Sequence, residues 1–176
     1  MPEIADAVDG GGLTERDLRA ALNDYSALAV TLWAEARDQP IEGLVAIGHV
    51  IKNRRAHPTR YKATEPSYRG IVLAHDQFSC WTPGPDANHQ ALLALARRVV
   101  GGESPDDPAW RECAWVAVGI IEDRLRDRAQ GSTHYLTQDL YRDHPPIWAT
   151  RLRWVADLGS HVFLIEPPEP SLTQRA

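Results

Sequence analysis

Apolar residues along this chain recur at intervals of three and four over several long stretches, the period of an amphipathic helix. Thr14 followed by Asp17 reads as an N-cap with a carboxylate at N3, and Leu18, Leu22 and Tyr25 continue the spacing behind it. Asn23 and Asp24 weaken the pattern, so the run to Arg37 is either one bent helix or two. In its second half Leu28, Leu32 and Glu35 fall at i, i+4 and i+7 and share a face. Pro40 opens a further segment, where Leu44, Ile47 and Ile51 mark the buried side of a helix ending near Arg55, before His57-Pro58. Residues 88–100 predict another helix, with Leu92, Leu95 and Val99 inward and Gly101-Gly102 as its stop. Asp107-Pro108 supplies the N-cap and first position of the next, with Trp110, Ala114, Ala117 and Ile121 as its core stripe.

Between and after these helices the period is lost. Residues 58–86 carry prolines, tyrosines and glycines and predict an irregular lobe, with short strands near residues 68–73. Residues 131–146 read as loop-rich, residues 148–158 as a short helix, and the apolar run His161–Ile165 as a strand. Residues 1–12 are expected to be a disordered leader, 13–166 a single domain and 167–176 a flexible tail. The fold class expected is mainly α (α+β), one domain with small irregular or β insertions and no internal repeat.

Composition narrows the function. A 43% apolar and 24% charged chain of 176 residues has the make-up of one soluble domain with its own core. A net charge of −5 argues against a general nucleic-acid binder, which needs a basic surface to displace counterions. It also slows approach to an anionic cell wall unless basic residues gather on one face; Arg142, Arg151 and Arg153 are close in sequence and read as a solvated surface. No apolar stretch is long enough to span a membrane, and the acidic, glycine-rich start lacks the charge and apolar core of a secretory signal. The spacing of Cys80 and Cys113 does not decide between a disulfide and two buried thiols; the absence of an export signal favours free, packed thiols.

Glu35 stands out as a carboxylate on the same face as two core leucines. Withdrawal from water disfavours an ionised carboxylate, and glycoside cleavage needs an acid that still holds its proton near neutral pH. From periodicity alone the commoner fate of such a carboxylate is an ion pair, here to Arg37 or a later arginine, or a side chain that leaves the core at the helix end.

The residues around Glu35 carry a family resemblance. The run Leu28-Ala29-Val30-Thr31-Leu32-Trp33-Ala34-Glu35-Ala36-Arg37 resembles the opening motif of the spore-cortex-lytic cell-wall hydrolases (SleB-type). The likeness continues through Pro40-Ile41-Glu42-Gly43-Leu44-Val45-Ala46-Ile47 to Val50-Ile51-Lys52-Asn53-Arg54. Gln77-Phe78-Ser79-Cys80-Trp81, Thr133-His134-Tyr135, Pro146 with Trp148-Ala149, and Gly159-Ser160-His161-Val162-Phe163 follow in the family's order, so the resemblance covers about residues 26–165. It implies a lysozyme-like fold and cleavage of the glycan strands of peptidoglycan, often as a lytic transglycosylase. It also implies that Glu35, in the Glu-Ala-Arg motif, is the catalytic acid. Three positions depart from the pattern: Ala34 stands for the usual Gly, Asp38-Gln39 for Gly-Glu, and Tyr135-Leu136 for a tyrosine pair. None removes the acid.

A hydrolytic muramidase adds a second carboxylate, about 5–5.5 Å from the first for retention and about 6.5–9.5 Å for inversion. Among Asp38, Glu42, Glu65 and Asp76 the resemblance favours Glu42, whose ordinary role would be to cap or ion-pair at the start of its helix. A lytic transglycosylase needs Glu35 alone, as acid and then base, and forms a 1,6-anhydro muramyl end without water. Gln77, Ser79, Thr133, His134, Tyr135 and Trp148 are the candidate glycan contacts, with Trp81 a further aromatic face; the ordinary alternative is core packing for the aromatics and backbone capping for the polar groups. His161 reads as a hydrogen-bonded core histidine.

Two rival classes are a zinc amidase and a non-catalytic wall-binding module. No His-Glu-x-x-His pattern or close cysteine pair is present, and His75 and Cys80 with His134 are the only loose ligand set the sequence offers, so neither metal nor cofactor is expected. The expected partner is peptidoglycan glycan, bound by a monomer without membrane insertion. The expected setting is that of a phage or prophage endolysin, made in the cytoplasm and reaching the wall after holin-type release.

Overall fold

The computed structural model describes residues 12–84 and 87–167, so the expected leader and tail lie almost wholly outside the described residues. Seven α-helices and a three-stranded antiparallel sheet are described: α1 (Glu15–Ala21), α2 (Asp24–Ala36), α3 (Ile41–Arg54), α4 (Tyr68–Val72), α5 (Ala87–Val100), α6 (Pro108–Ile121), β1 (His134–Thr137), α7 (Gln138–Asp143), β2 (Arg153–Leu158) and β3 (His161–Ile165). The long predicted helices are all present.

The run to Arg37 is two helices. Thr14 and Asn23 each form a reciprocal capping box, with Asp17 and Ser26, and Leu22 between them is extended. α2 is central rather than amphipathic: eight of its residues are buried, and α3, α4, α5 and α6 pack around it. α3 follows Pro40 and passes close to α6, where a side chain at Gly48 would collide with Ile120.

Four expectations are corrected. Residues 68–73 form helix, not strand: Ser67 accepts a hydrogen bond from the Gly70 amide as N-cap, and Tyr68, Ile71 and Val72 are buried at helical spacing. The core stripe of α6 holds at Trp110 and Ala117, but Cys113, Val116 and Ile120 are buried where Ala114 and Ile121 were expected, and those two are only partly buried. Residues 131–146 hold β1 and α7, whose N-cap Thr137 accepts from the Leu140 amide. Residues 148–158 form a single 3-10 turn (Ala149–Arg151) and then β2, because β3 is the central strand and needs a partner on each edge. The order is β1-β3-β2, and Leu158 pairs with His161 across a two-residue Gly159-Ser160 turn. Gly159 adopts φ +59, and the Ser160 amide donates to Gln39 Oε1 at 3.0 Å. That bond ties the sheet to the α2–α3 junction.

Candidate active site

Glu35 lies in the last turn of α2, half-buried where the core helix meets an open cleft of about 480 Å³. Its carboxyl is held at both oxygens. The Cys80 amide donates to Oε1 at 3.2 Å, and the Tyr135 hydroxyl donates to Oε2 at 3.3 Å. No ion pair to Glu35 occurs among the described residues. Arg37 instead lies 4.3 Å over the Trp33 ring and donates to Asn88 Oδ1 at 2.9 Å.

Both donors are rigidly mounted. Cys80 belongs to a 3-10 turn, Ser79–Trp81, fastened by the Trp81 indole N–H on Thr31 Oγ1 at 2.9 Å and by the Cys80 carbonyl against His89 Nδ1 at 2.8 Å. Trp81 is therefore buried in the core. Tyr135, on β1, stacks on Phe163 with ring centres 6.1 Å apart and meets the His161 ring edge-on at 5.4 Å. Burial, and then the neighbouring Glu35, raise Tyr135 well above the ordinary tyrosine range, which keeps its hydroxyl protonated and able to donate. The Cys80 thiol is likewise pushed up, by burial and then by Glu35, and is not a nucleophile at neutral pH. Both cysteines are buried and free, as their packing role predicts, with Cys113 pushed up to about 12 by burial.

Gln77, Ser79, His134, Tyr135 and Trp148 all line the cleft with Glu35, although they come from three separate segments of the chain. Arg54, Phe78 and Asp76 complete its wall. Arg54 is buried between the Tyr61 and Phe78 rings, 5.0 and 5.3 Å from their centres. Its Nε donates to the Thr133 carbonyl at 2.8 Å, joining α3 to the start of β1. Neither Arg54 nor Phe78 was among the candidate contacts, although both stand in the motifs that carry the family resemblance; Phe78 is also buried in the core.

Two of the candidates lie outside the lining of this cleft. Glu42, the favoured second carboxylate, is exposed in the first turn of α3 and lines a separate depression, because Leu44, Val45 and Ile47 turn their side of the helix into the core. The other carboxylate in the cleft wall is Asp76, exposed and held by Lys62 at 3.1 Å and His75 at 2.6 Å. The hydrogen bond from Lys62 is the chief reason that its acidity is increased. Thr133 faces a neighbouring hollow of about 1080 Å³ with Lys52 and Tyr61, and serves the site through its carbonyl. His161 is buried with Nδ1 3.3 Å from Gln39 Oε1, a core histidine as expected. Among the described residues, no three of His, Cys, Asp and Glu gather as metal ligands would, and no helix is long and apolar enough to cross a membrane.

His134 lies against the half-exposed Trp148, ring centres 5.6 Å apart, and together they form an aromatic shelf in the cleft. Burial, reinforced by Arg54 and Arg60, pushes His134 down to about 4. Between that value and its ordinary 6.5 the unfolded chain binds more protons than the folded one. Stability therefore falls as pH is lowered through this window and levels off below it. Thermal melts across the window check this: His134→Gln is expected to flatten the dependence of Tm on pH, and an unchanged slope would remove His134 as its source.

Glu35 thus stands half-buried at the edge of an open, aromatic-lined cleft, the kind of concave site in which enzymes bind their substrates. The chain belongs to the cell wall hydrolase family, whose model matches residues 38–164 and so begins three positions after Glu35. No curated protein matches it. Two solved structures share the fold. The catalytic domain of the germination-specific lytic transglycosylase SleB from Bacillus anthracis has a TM-score of 0.56 at 17% identity, over 89% of this chain and 99% of that one. The catalytic domain of the Bacillus cereus SleB protein has a TM-score of 0.50 at 18% identity, over 89% of this chain and 94% of that one.

Proposed function

We propose that this cell wall hydrolase is a lytic transglycosylase that cleaves the bond between N-acetylmuramic acid and N-acetylglucosamine in peptidoglycan. The observation that carries the proposal is the setting of Glu35: a single half-buried carboxyl facing the cleft, with one donor on each oxygen. The likeness to a SleB domain described as a lytic transglycosylase supports the same chemistry.

In this mechanism Glu35 gives its proton to the glycosidic oxygen, and the C1–O bond breaks with its electron pair leaving on that oxygen. The carboxylate so formed accepts the Cys80 N–H and Tyr135 O–H bonds, which strengthen as negative charge appears. The muramyl C6 oxygen then closes onto C1 and its proton passes to Glu35, which restores the acid and leaves a 1,6-anhydro ring. The aromatic shelf of His134 and Trp148 offers an apolar face to a sugar ring, and Gln77 and Ser79 offer polar groups to its substituents.

A second reading is hydrolysis, in which Asp76, the other carboxylate lining the cleft, would activate water. Digestion in ¹⁸O-labelled water separates the two. Transglycosylation leaves every new glycan end unlabelled, whereas hydrolysis puts one ¹⁸O on each new reducing muramyl end.

A further inference from the structure

Apart from the cleft, and sharing none of its lining residues, lies a shallow depression of about 240 Å³. Trp115 of α6 stands on its wall with 56% of its surface exposed, beside Arg124, Arg126 and Arg128 from the loop after α6. That loop alternates: the three arginines are exposed, Leu125 and Asp127 are partly buried, and Ala129 is fully buried. The inward residues are anchored. Leu125 occupies space left by the missing side chain of Gly119, where an added Cβ would come within 2.7 Å of it. Asp127 Oδ2 accepts from the Asn53 side chain at 3.2 Å and from the Gly131 amide at 2.7 Å. The arginines are thus displayed in a row by a loop that is pinned from below. Arg124 pairs with Glu122 at 2.8 Å, while among the described residues Arg126 and Arg128 form no ion pair.

A fixed positive row beside an open indole is unexpected on a chain of net charge −5, and it matches a polymer that is both saccharide and anionic. We infer that this face is an auxiliary docking site for peptidoglycan, taking a sugar ring on Trp115 and the carboxylates of peptide stems on Arg126 and Arg128. It holds the enzyme on the wall while the separate cleft cuts. The inference rests on the wall-glycan reading of the cleft. A membrane surface fits the face less well, because Trp115 is the one large exposed apolar side chain among its lining residues.

The test uses the chain carrying Glu35→Gln, so that binding is measured without cutting. Co-sedimentation with purified sacculi is expected to weaken about tenfold when Trp115→Ala, Arg126→Gln and Arg128→Gln are added. Its salt dependence should become shallower as well. In the active chain the same three substitutions slow lysis of sacculi but leave turnover of a short soluble glycan fragment unchanged, which also shows that the variant is folded. Unchanged affinity for sacculi, with normal cleavage, overturns the docking site alone. Capture by anionic phospholipid vesicles with no binding to sacculi assigns the face to membrane and overturns it too. Failure of the unsubstituted chain to cut either glycan would overturn the site together with the reading beneath it.

Discussion

Glu35→Gln is expected to lower the rate of glycan cleavage by about a thousandfold, the scale of a lost general acid, with the melting temperature nearly unchanged. The amide is close in shape to the carboxyl and can still accept the Cys80 N–H through its oxygen, so the 3-10 turn at Ser79–Trp81 keeps its contact. The amide has no proton to give to a leaving oxygen. Glu35 makes no contact ion pair among the described residues, so the change breaks no salt bridge, although it removes one of the charges that favour the buried Arg54 guanidinium. Cleavage rates on purified sacculi, with thermal melts alongside, separate a chemical loss from a structural one. A parallel fall in melting temperature would mean that Glu35 is a fold residue.

The second large effect is on stability. Arg54→Met is expected to destabilise the fold by about 2–3 kcal/mol, measured by urea unfolding. Methionine keeps much of the apolar stem but leaves the Thr133 carbonyl without its 2.8 Å donor at the point where β1 leaves the loop. It also removes the cation held between Tyr61 and Phe78. Removing the desolvation cost of a buried guanidinium offsets part of this, which keeps the figure below that for breaking a buried ion pair. Because Gln77, Phe78 and His134 frame the cleft around this side chain, activity should fall with stability. A loss below about half a kcal/mol would show that Arg54 is not the link between α3 and the sheet.

The helices were legible because helix signals are local. The signals at Thr14 with Asp17 and at Asp107-Pro108 each act within a turn: the first forms a capping box, and Asp107 caps α6 as its position before Pro108 predicts. The sheet was less legible because strands take their identity from partners distant in sequence. β2 contains Arg153, Trp154 and Asp157 with no clean alternation, and a register irregularity between Trp154 and Ala156 blurs it further. One signal for it was present and unused: Gly159-Ser160 between two short runs is a two-residue hairpin turn. In the site, the family motif pointed to Glu35, and ordered motifs from distant segments supplied Gln77, Ser79, His134, Tyr135 and Trp148, which the fold gathers around one cleft. Arg54 was hidden because a basic residue in a last helical turn has an ordinary explanation. Glu42 lines a separate depression because nearness in sequence across a turn does not set the direction of a side chain, whereas Asp76 reaches the cleft from a loop with no periodicity to announce it.

Mass analysis of the glycan fragments released from purified peptidoglycan, by the unsubstituted chain and by Glu35→Gln, tests the central claim most directly. Fragments ending in 1,6-anhydro muramic acid, made by the first and not by the second, are the predicted result. Intact glycan strands with freed peptides, or anhydro ends that persist without the Glu35 carboxyl, would contradict it.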